Sequence, residues 1–271
     1  MNIRPKISVI TVGMNHLRYL KDLLPSIYRS TVTPPLSTTY LTDIEMIYVD
    51  NCSTDGSVEY VKKQFPQVKI IKNQEALGFG ENNNKGVLAA HGDYIAIINP
   101  DIIVQGDALE KLLEYATAHP DTGIIVPQLL NPDKSLQFSI RRYVDIKTLL
   151  ARGLTKGADS TNNSTVDHYL CKDINYGETQ PIDWAIGAAL FMKRELYAEL
   201  GGFDTDYFLY MEDEDICLRS WKLKRPVVYY PEAKMIHNHL RASSKMGKKM
   251  FIHMKSMMTF FHKHGFSPTR D

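Results

Sequence analysis

Across residues 1–130 the chain alternates short β-branched runs with segments of helical spacing, and this alternation constrains the fold most. Ile7–Val12, Glu45–Val49, Val68–Ile71, Tyr94–Ile98 and Gly123–Val126 read as strands. Leu17–Tyr28, Ser57–Phe65 and Gly80–Ala90 read as helices between them, the second stopped by Pro66 and the third closed by His91-Gly92. Asp107 and Glu110 predict a capping box that opens a further helix running through His119. A strand followed by a helix and then another strand favours parallel pairing, because the chain must cross over the sheet to return. The expectation is therefore an α/β fold: a Rossmann-like, mostly parallel central sheet, doubly wound and flanked by helices.

The remaining sequence is less regular. Residues 131–181 are rich in Asn, Asp, Ser and Thr and are expected to form a long loop or flap. Order is expected to resume at Ile182–Met192, followed by a helix at Asp213–Lys222, a strand at Pro226–Tyr230 and a C-terminal helix at Lys245–His264.

Charge separates body from tail. The 271 residues hold 32 Lys+Arg and 31 Asp+Glu, yet Ala233–Arg270 carries eight Lys/Arg and no Asp/Glu. The preceding body is acidic, which argues against a nucleic-acid binder. Cys52, Cys171 and Cys217 are too widely spaced for a disulfide framework or a zinc knuckle, and they suit a reducing cytosol. No run approaches the ~20 apolar residues of a membrane span, and the first residues show no export signal. The expected location is cytoplasmic.

In open α/β sheets, ligands sit at the carboxyl ends of the strands. Asp50 and Asp101 both fall there, the first opening the polar turn Asp50-Asn51-Cys52-Ser53-Thr54-Asp55-Gly56 and the second following Asn99-Pro100. Read as a calcium loop starting at Asn51, that turn would place Lys62 where a bidentate Glu is required, so this reading fails. Gly78-Phe79-Gly80 opens a helix whose backbone N–H groups can approach a phosphate or a base. It is neither a dinucleotide fingerprint nor a P-loop. The densest signal is Asp204–Asp215, where six carboxylates are interleaved with aromatic and large apolar residues. Crowded carboxylates repel, which raises at least one pKa and makes a better base near neutral pH. His237 and His239 follow the last strand and can ligate a metal.

Several motifs occur together in a fixed order: Val49-Asp50-Asn51 with Ser53 and Asp55-Gly56; Gly78-Phe79 with Asn84 and Gly86; Asn99-Pro100-Asp101; Asp183-Trp184 with Gly187-Ala188; Gly202-Phe203-Asp204; Glu212-Asp213 with Asp215 and Arg219; then Pro231 and His237. From about Ile7 to Ser244 the chain resembles the inverting nucleotide-sugar glycosyltransferases of the GT-A fold, glycosyltransferase family 2. It is most similar to the branch that transfers rhamnose or related sugars in bacterial polysaccharide synthesis. Gly13-Met14-Asn15 stands where that family often has Thr/Ser-Tyr-Asn, and Ala76 stands where it often has Asn.

The resemblance implies a division of labour. Residues 1–244 would form the GT-A domain, with 1–130 binding the nucleotide and 131–244 holding the acceptor and catalytic groups; residues 245–271 would be a basic, Met-rich helical tail. Asp50 would bind the pyrimidine ring, with Val12, Asn73, Gly78, Phe79, Asn84 and Asn99 completing the donor pocket. Asp101 would ligate Mg²⁺ or Mn²⁺ together with His237 or His239, His237 being preferred by position. Trp184, Gly187 and Glu212 would shape the sugar and acceptor side, Asp213 would be the base, and Arg219 would orient the acids. The donor would be a nucleoside-diphosphate sugar, dTDP-rhamnose or alternatively a UDP-hexose, and the acceptor a glycan or a lipid-linked glycan.

Two other readings, one an enzyme and one a binding module, fare worse. A nucleotidyltransferase favours a Gly-rich basic loop after the first strand, where this chain has Gly13-Met14-Asn15-His16. A non-catalytic sugar-nucleotide binder has no need of Glu212-Asp213 beside Asp101. In the tail, Met246, Met250, Met254, Met257, Met258 and Phe261 form one expected apolar stripe that packs on the body. Lys245, Lys248 and Lys249 are expected to lie away from it, where they can meet the anionic inner face of the cell membrane peripherally.

Overall fold

The first strand, β1 (Ile7–Gly13), is buried along nearly its whole length, as a strand covered on both faces must be. The protein is seen in a computed structural model that describes residues 5–30, 44–155, 162–238 and 248–270. After β1 come α1 (Leu17–Ser30), β2 (Ile44–Asp50), α2 (Ser57–Gln64), β3 (Lys69–Lys72), α3 (Phe79–Leu88), β4 (Tyr94–Ile98), β5 (Ile102–Val104), α4 (Ala108–Ala118) and β6 (Ile124–Leu130). The chain continues through β7 (Ile140–Arg141), α5 (Ile146–Leu154), α6 (Ser164–Tyr169), β8 (Gln180–Pro181), β9 (Trp184–Ala185), β10 (Ala189–Lys193), α7 (Arg194–Glu199), α8 (Glu212–Lys222), β11 (Val227–His237) and α9 (Lys248–His264).

The main sheet has the order β3-β2-β1-β4-β10-β6-β11-β5, with β8 paired to β11. Parallel pairing joins β1 to β2 and β4, β2 to β3, and β6 to β11. β10 runs antiparallel between β4 and β6, so those two strands point the same way. Six strands therefore share one direction, and β5, β8 and β10 oppose them. Apolar clusters lie on both faces. One includes Leu20, Leu23 and Leu24 of α1 with Leu109 and Leu112 of α4; the other includes Val87 of α3, Leu196 of α7 and Ile216 of α8.

The structure departs from the sequence expectations in four places. Residues 131–181 are not one long loop, since they contain β7, α5, α6 and β8. Both helices carry side-chain N-caps: Asp145 accepts from the Thr148 N–H, and Asn163 accepts from the N–H groups of Thr165 and Val166. Asp107 makes no capping bond and instead pairs with Lys111 at 3.1 Å. The last long strand runs on to His237, past an irregularity between Tyr230 and Lys234. The fourth departure is the tail stripe. Ser256, Met257, Phe260 and Phe261 face the body, whereas Met254 and Met258 are exposed. The expected stripe is wider than the contact one helix makes, so only part of it is covered. His239, Lys245 and Met246 lie outside the described residues.

Candidate active site

The carboxyl ends of β1, β2 and β4 lie side by side, and each delivers a turn to the same edge of the sheet. Gly13 pairs with Asp50. A Cβ at Gly13 would come within 2.8 Å of the Tyr48 ring, so glycine is required where the strands meet. The Tyr48 hydroxyl donates to Asp50 Oδ1 at 3.1 Å, and the Ser53 N–H lies 3.3 Å from both carboxylate oxygens. These bonds fix Asp50 at the end of β2; Val12, opposite Val49, stands one residue before the turn.

The glycine turn is held by an amide network. Asn51 Oδ1 accepts from the Leu77 N–H and the Asn73 side chain, Asn73 also donates to Asn82, and Asn82 donates to the Gly78 carbonyl. Gly78 then lets the 208 backbone approach closely: a Cβ there would lie 2.6 Å from the Phe208 carbonyl oxygen. The Phe79 N–H donates to that same oxygen at 3.0 Å. Asn73 is thus engaged in the scaffold. So is Asn84, whose side chain accepts from Tyr197 and the Phe203 N–H and donates to the Phe203 carbonyl. Asn84 fastens the Gly202-Phe203 turn to α3, and any direct contact with donor would have to compete with those bonds.

Asp101 and His237 meet because β5 and β11 pair antiparallel with His237 opposite Ile102, one residue from Asp101. His237 Nε2 lies 3.5 Å from Asp101 Oδ1, too long for a good hydrogen bond. That carboxylate oxygen is buried and has no hydrogen-bond partner. His237 Nδ1 is 2.7 Å from Gln137 Oε1, which turns Nε2 toward Asp101. An orphaned carboxylate oxygen facing an oriented imidazole nitrogen is a donor pair suited to a divalent cation. Among the described residues no group of three or more His, Cys, Asp or Glu could hold a metal. The remaining coordination positions would fall to oxygen atoms of a bound ligand. His16, in the turn after β1, lies within electrostatic reach of Asp101; burial nevertheless lowers its pKa, more than Asp101 and then Asp55 raise it.

Beside this pair is a cavity of about 300 Å³. Phe79, Asn99, Gly187, Glu212, Asp213 and His237, all expected at the site, line it. Gly187 is tightly packed, since a Cβ there would lie 3.3 Å from Asp213 Cβ and 3.4 Å from Phe79 Cζ. The Gly187 N–H donates to Asp213 Oδ2 at 2.9 Å and the Glu214 N–H to Asp213 Oδ1 at 3.0 Å. Burial raises the Asp213 pKa, and these backbone donors act against it by favouring the ionised form. Glu212 is buried, one of its oxygens has no partner, and burial followed by the Asp213 charge pushes it up to about 8. The pair is therefore unequal: Glu212 keeps its proton up to about 8, whereas Asp213 has an amide on each oxygen that opposes the effect of burial. Glu214 is also raised by burial and accepts from the Val144 N–H at 3.0 Å, a structural contact.

The approach to α8 is strained. Tyr210 and Met211 have φ of 71° and 73°, a region that non-glycine residues seldom occupy. Arg219, one turn beyond Asp215 on α8, donates to Asp215 and to the Gly202 carbonyl, so it braces the acid cluster and does not line the cavity. Trp184 also lies outside the lining. Its indole N–H donates to the Arg142 carbonyl at 2.8 Å while its backbone pairs with Arg141. It supports the wall and leaves the contact surface to Arg141. Asn131, Gln137, Phe138, Arg141 and Tyr210 line the cavity without having been expected there. Apolar and polar residues alternate from Leu136 to Arg141, a strand signal that could have found three of them.

Residues 8–200 match the family described as Glycosyl transferase family 2. The chain is similar to the N-acetylglucosaminyl-diphospho-decaprenol L-rhamnosyltransferase of Mycobacterium tuberculosis, 26% identical over 266 residues, covering 93% of this chain and 82% of that protein. It is similar also to Rhamnosyltransferase WbbL of Escherichia coli K12, 28% identical over 192 residues, covering 68% of this chain and 69% of the relative. Among solved structures, GalNAc-T7 with UDP, GalNAc and Mn²⁺ superposes with a TM-score of 0.63 at 17% identity. That likeness covers 88% of this chain but 44% of the solved one, and it is one of GT-A fold.

Proposed function

The chain belongs to glycosyl transferase family 2 and is a nucleotide-sugar glycosyltransferase; from that premise we propose that it moves rhamnose from dTDP-rhamnose to a hydroxyl of a lipid-linked glycan, with inversion. The relatives named for rhamnosyl transfer support the sugar, and the decaprenol-linked substrate in one of those names supports the acceptor class. The observation that carries the chemistry is the unequal pair Glu212–Asp213 in a cavity that also receives His237.

An acceptor hydroxyl attacks poorly while it keeps its proton. Asp213, aimed by the amides of Gly187 and Glu214, is suited in its carboxylate form to take that proton as attack proceeds. Glu212, protonated at neutral pH, can donate a hydrogen bond to the sugar or acceptor without adding a second charge. Asp50 and the turn at Gly78-Phe79 would hold the nucleotide at the strand ends, with Val12 and Asn99 beside them. One base and one displacement give inversion, and alignment of donor and acceptor supplies much of the acceleration. Asp101 and His237 would hold Mg²⁺ or Mn²⁺, which supplies charge stabilisation for the departing diphosphate. Gln137, through Nδ1 of His237, keeps the other ring nitrogen directed at the site. The division into a nucleotide half at 1–130 and an acceptor half at 131–244 follows the same reading, as does a cytoplasmic location at the inner membrane face. No helix among the described residues is long and apolar enough to cross a membrane.

A donor panel tests this. With Mn²⁺ present, dTDP-rhamnose is expected to raise the melting temperature and to be turned over, and Asp101→Ala is expected to lose the metal-dependent part of that shift. Preference for a UDP-hexose would replace the donor while leaving the family reading intact. Full activity after thorough metal removal would exclude the metal role.

A further inference from the structure

Two helices present apolar rows to solvent. On α5, Ile146, Leu150 and Leu154 recur every four residues; on α9, Phe251, Met254 and Met258 recur at three and four. Each spacing places a row on one helix face. Exposure across the six runs from 48% at Met254 to 84% at Leu154, far from the burial of the opposite faces, where Ala151 and Phe260 pack inward. The helices are neighbours: Leu149 of α5 and Met257, Phe260 and Phe261 of α9 pack into one cluster with Val144, Tyr207 and Met211. Arg152 of α5 is close enough to His253 of α9 to lower its pKa, after burial.

The charge around the rows has one sign. Neither helix contains Asp or Glu, whereas Lys147 and Arg152 lie on α5 and Lys255 lies on α9. Nearby carboxylates are already engaged: Asp145 caps α5, and Asp204 and Asp206 are paired with Lys263. The surface is also continuous with the cavity rim. The His253 ring stands 4.8 Å from that of Tyr210, and the Ser256 hydroxyl donates to the Leu209 carbonyl at 2.8 Å; Tyr210 and Leu209 both line the cavity.

An apolar row on a helix with cationic flanks matches the boundary between headgroups and acyl chains of an anionic bilayer. We propose that α5 and α9 together form a docking surface whose two apolar rows enter the interface of an anionic lipid bilayer, holding the cavity mouth against the membrane. This rests on the reading of the acceptor as lipid-linked, and explains how described residues that include no helix long and apolar enough to cross a membrane reach such a substrate. It differs from adsorption through tail lysines alone, because the methionines and Phe251 insert and α5 takes part.

The test is flotation of the full chain with phosphatidylcholine vesicles, with or without phosphatidylglycerol. The wild type is expected to float with the anionic vesicles, about tenfold or more above the neutral ones. The triple variant Phe251→Ser, Met254→Ser, Met258→Ser and the double variant Leu150→Ser, Leu154→Ser are each expected to lose about tenfold in partitioning. Helical circular dichroism and donor hydrolysis without vesicles should stay at wild-type levels. A wild type that remains in the lipid-free fraction, or variants that float equally well, would overturn the proposal. So would a wild-type dimer in sedimentation that the same substitutions dissociate without any flotation, which would make a second copy the occupant. Flotation needs no sugar nucleotide, so its failure is distinguishable from failure of the donor panel.

Discussion

Glu212 and Asp213 are adjacent in sequence yet differ in what they can do, because only Asp213 has backbone amides on both oxygens. The acid cluster was legible as a candidate from its crowding alone; which member has its carboxylate form favoured by amides depends on Gly187, a residue 26 positions away in sequence. The pair makes a prediction about stability. The folded-state pKa of Glu212 is raised from 4.5 to about 8, so the folded protein binds the proton that the unfolded chain releases. Its contribution to stability therefore worsens as pH rises through that window and levels off above it. Glu212→Gln removes the titration and should raise the melting temperature more at pH 8 than at pH 5; an equal shift at both would contradict the raised pKa. Gln137 gives a second prediction. Without its oxygen on Nδ1, His237 loses its orientation, and Gln137→Ala should weaken Mn²⁺ binding about 10- to 100-fold by calorimetry. Unchanged affinity would show that His237 is not a ligand.

At the level of elements, the strands and helices of the first half were readable because each buries a regular pattern. The three-residue β5 was not, since it follows Pro100-Asp101 and is too short to show a period. Yet β5 sets the register that brings His237 to Asp101. The segment 131–181 misled for a different reason: its helices start at Asp145 and Asn163, cap residues that, seen as composition, resemble loop. The close contact between the turn after β9 and the start of α8 can be probed directly. Gly187→Ala forces a methyl against Asp213 and Phe79. The expected result is a loss of kcat of about tenfold or more from misplacement of Asp213, the proposed base, with donor affinity and melting temperature changed little. A normal kcat would show that this packing does not position Asp213.

For the whole molecule, the sheet order places the turns after β1, β2 and β4 on one edge, while α8, β9 and β11 bring the acids and His237 to the same edge from the second half of the chain. Asn84 and Trp184 belong to the frame of that assembly, a distinction invisible in a motif, because a residue that holds a turn and one that touches a ligand look alike in sequence. α9 is bound to the same frame by the His264–Asp215 contact at 2.7 Å. The proposed reaction is an in-line displacement, with the donor held at the turns after β1, β2 and β4 and Asp213 facing it from the cavity wall. The anomeric configuration of the product tests this most directly. Purified wild type, incubated with dTDP-rhamnose, Mn²⁺ and a short-chain polyprenyl-diphospho-N-acetylglucosamine, should give by NMR a rhamnoside of anomeric configuration opposite to that of the donor. Asp213→Asn should bind the donor as well as wild type does, yet form that product about 10²–10⁴ times more slowly. A product that retains the donor's configuration, or undiminished transfer by Asp213→Asn, would contradict the account.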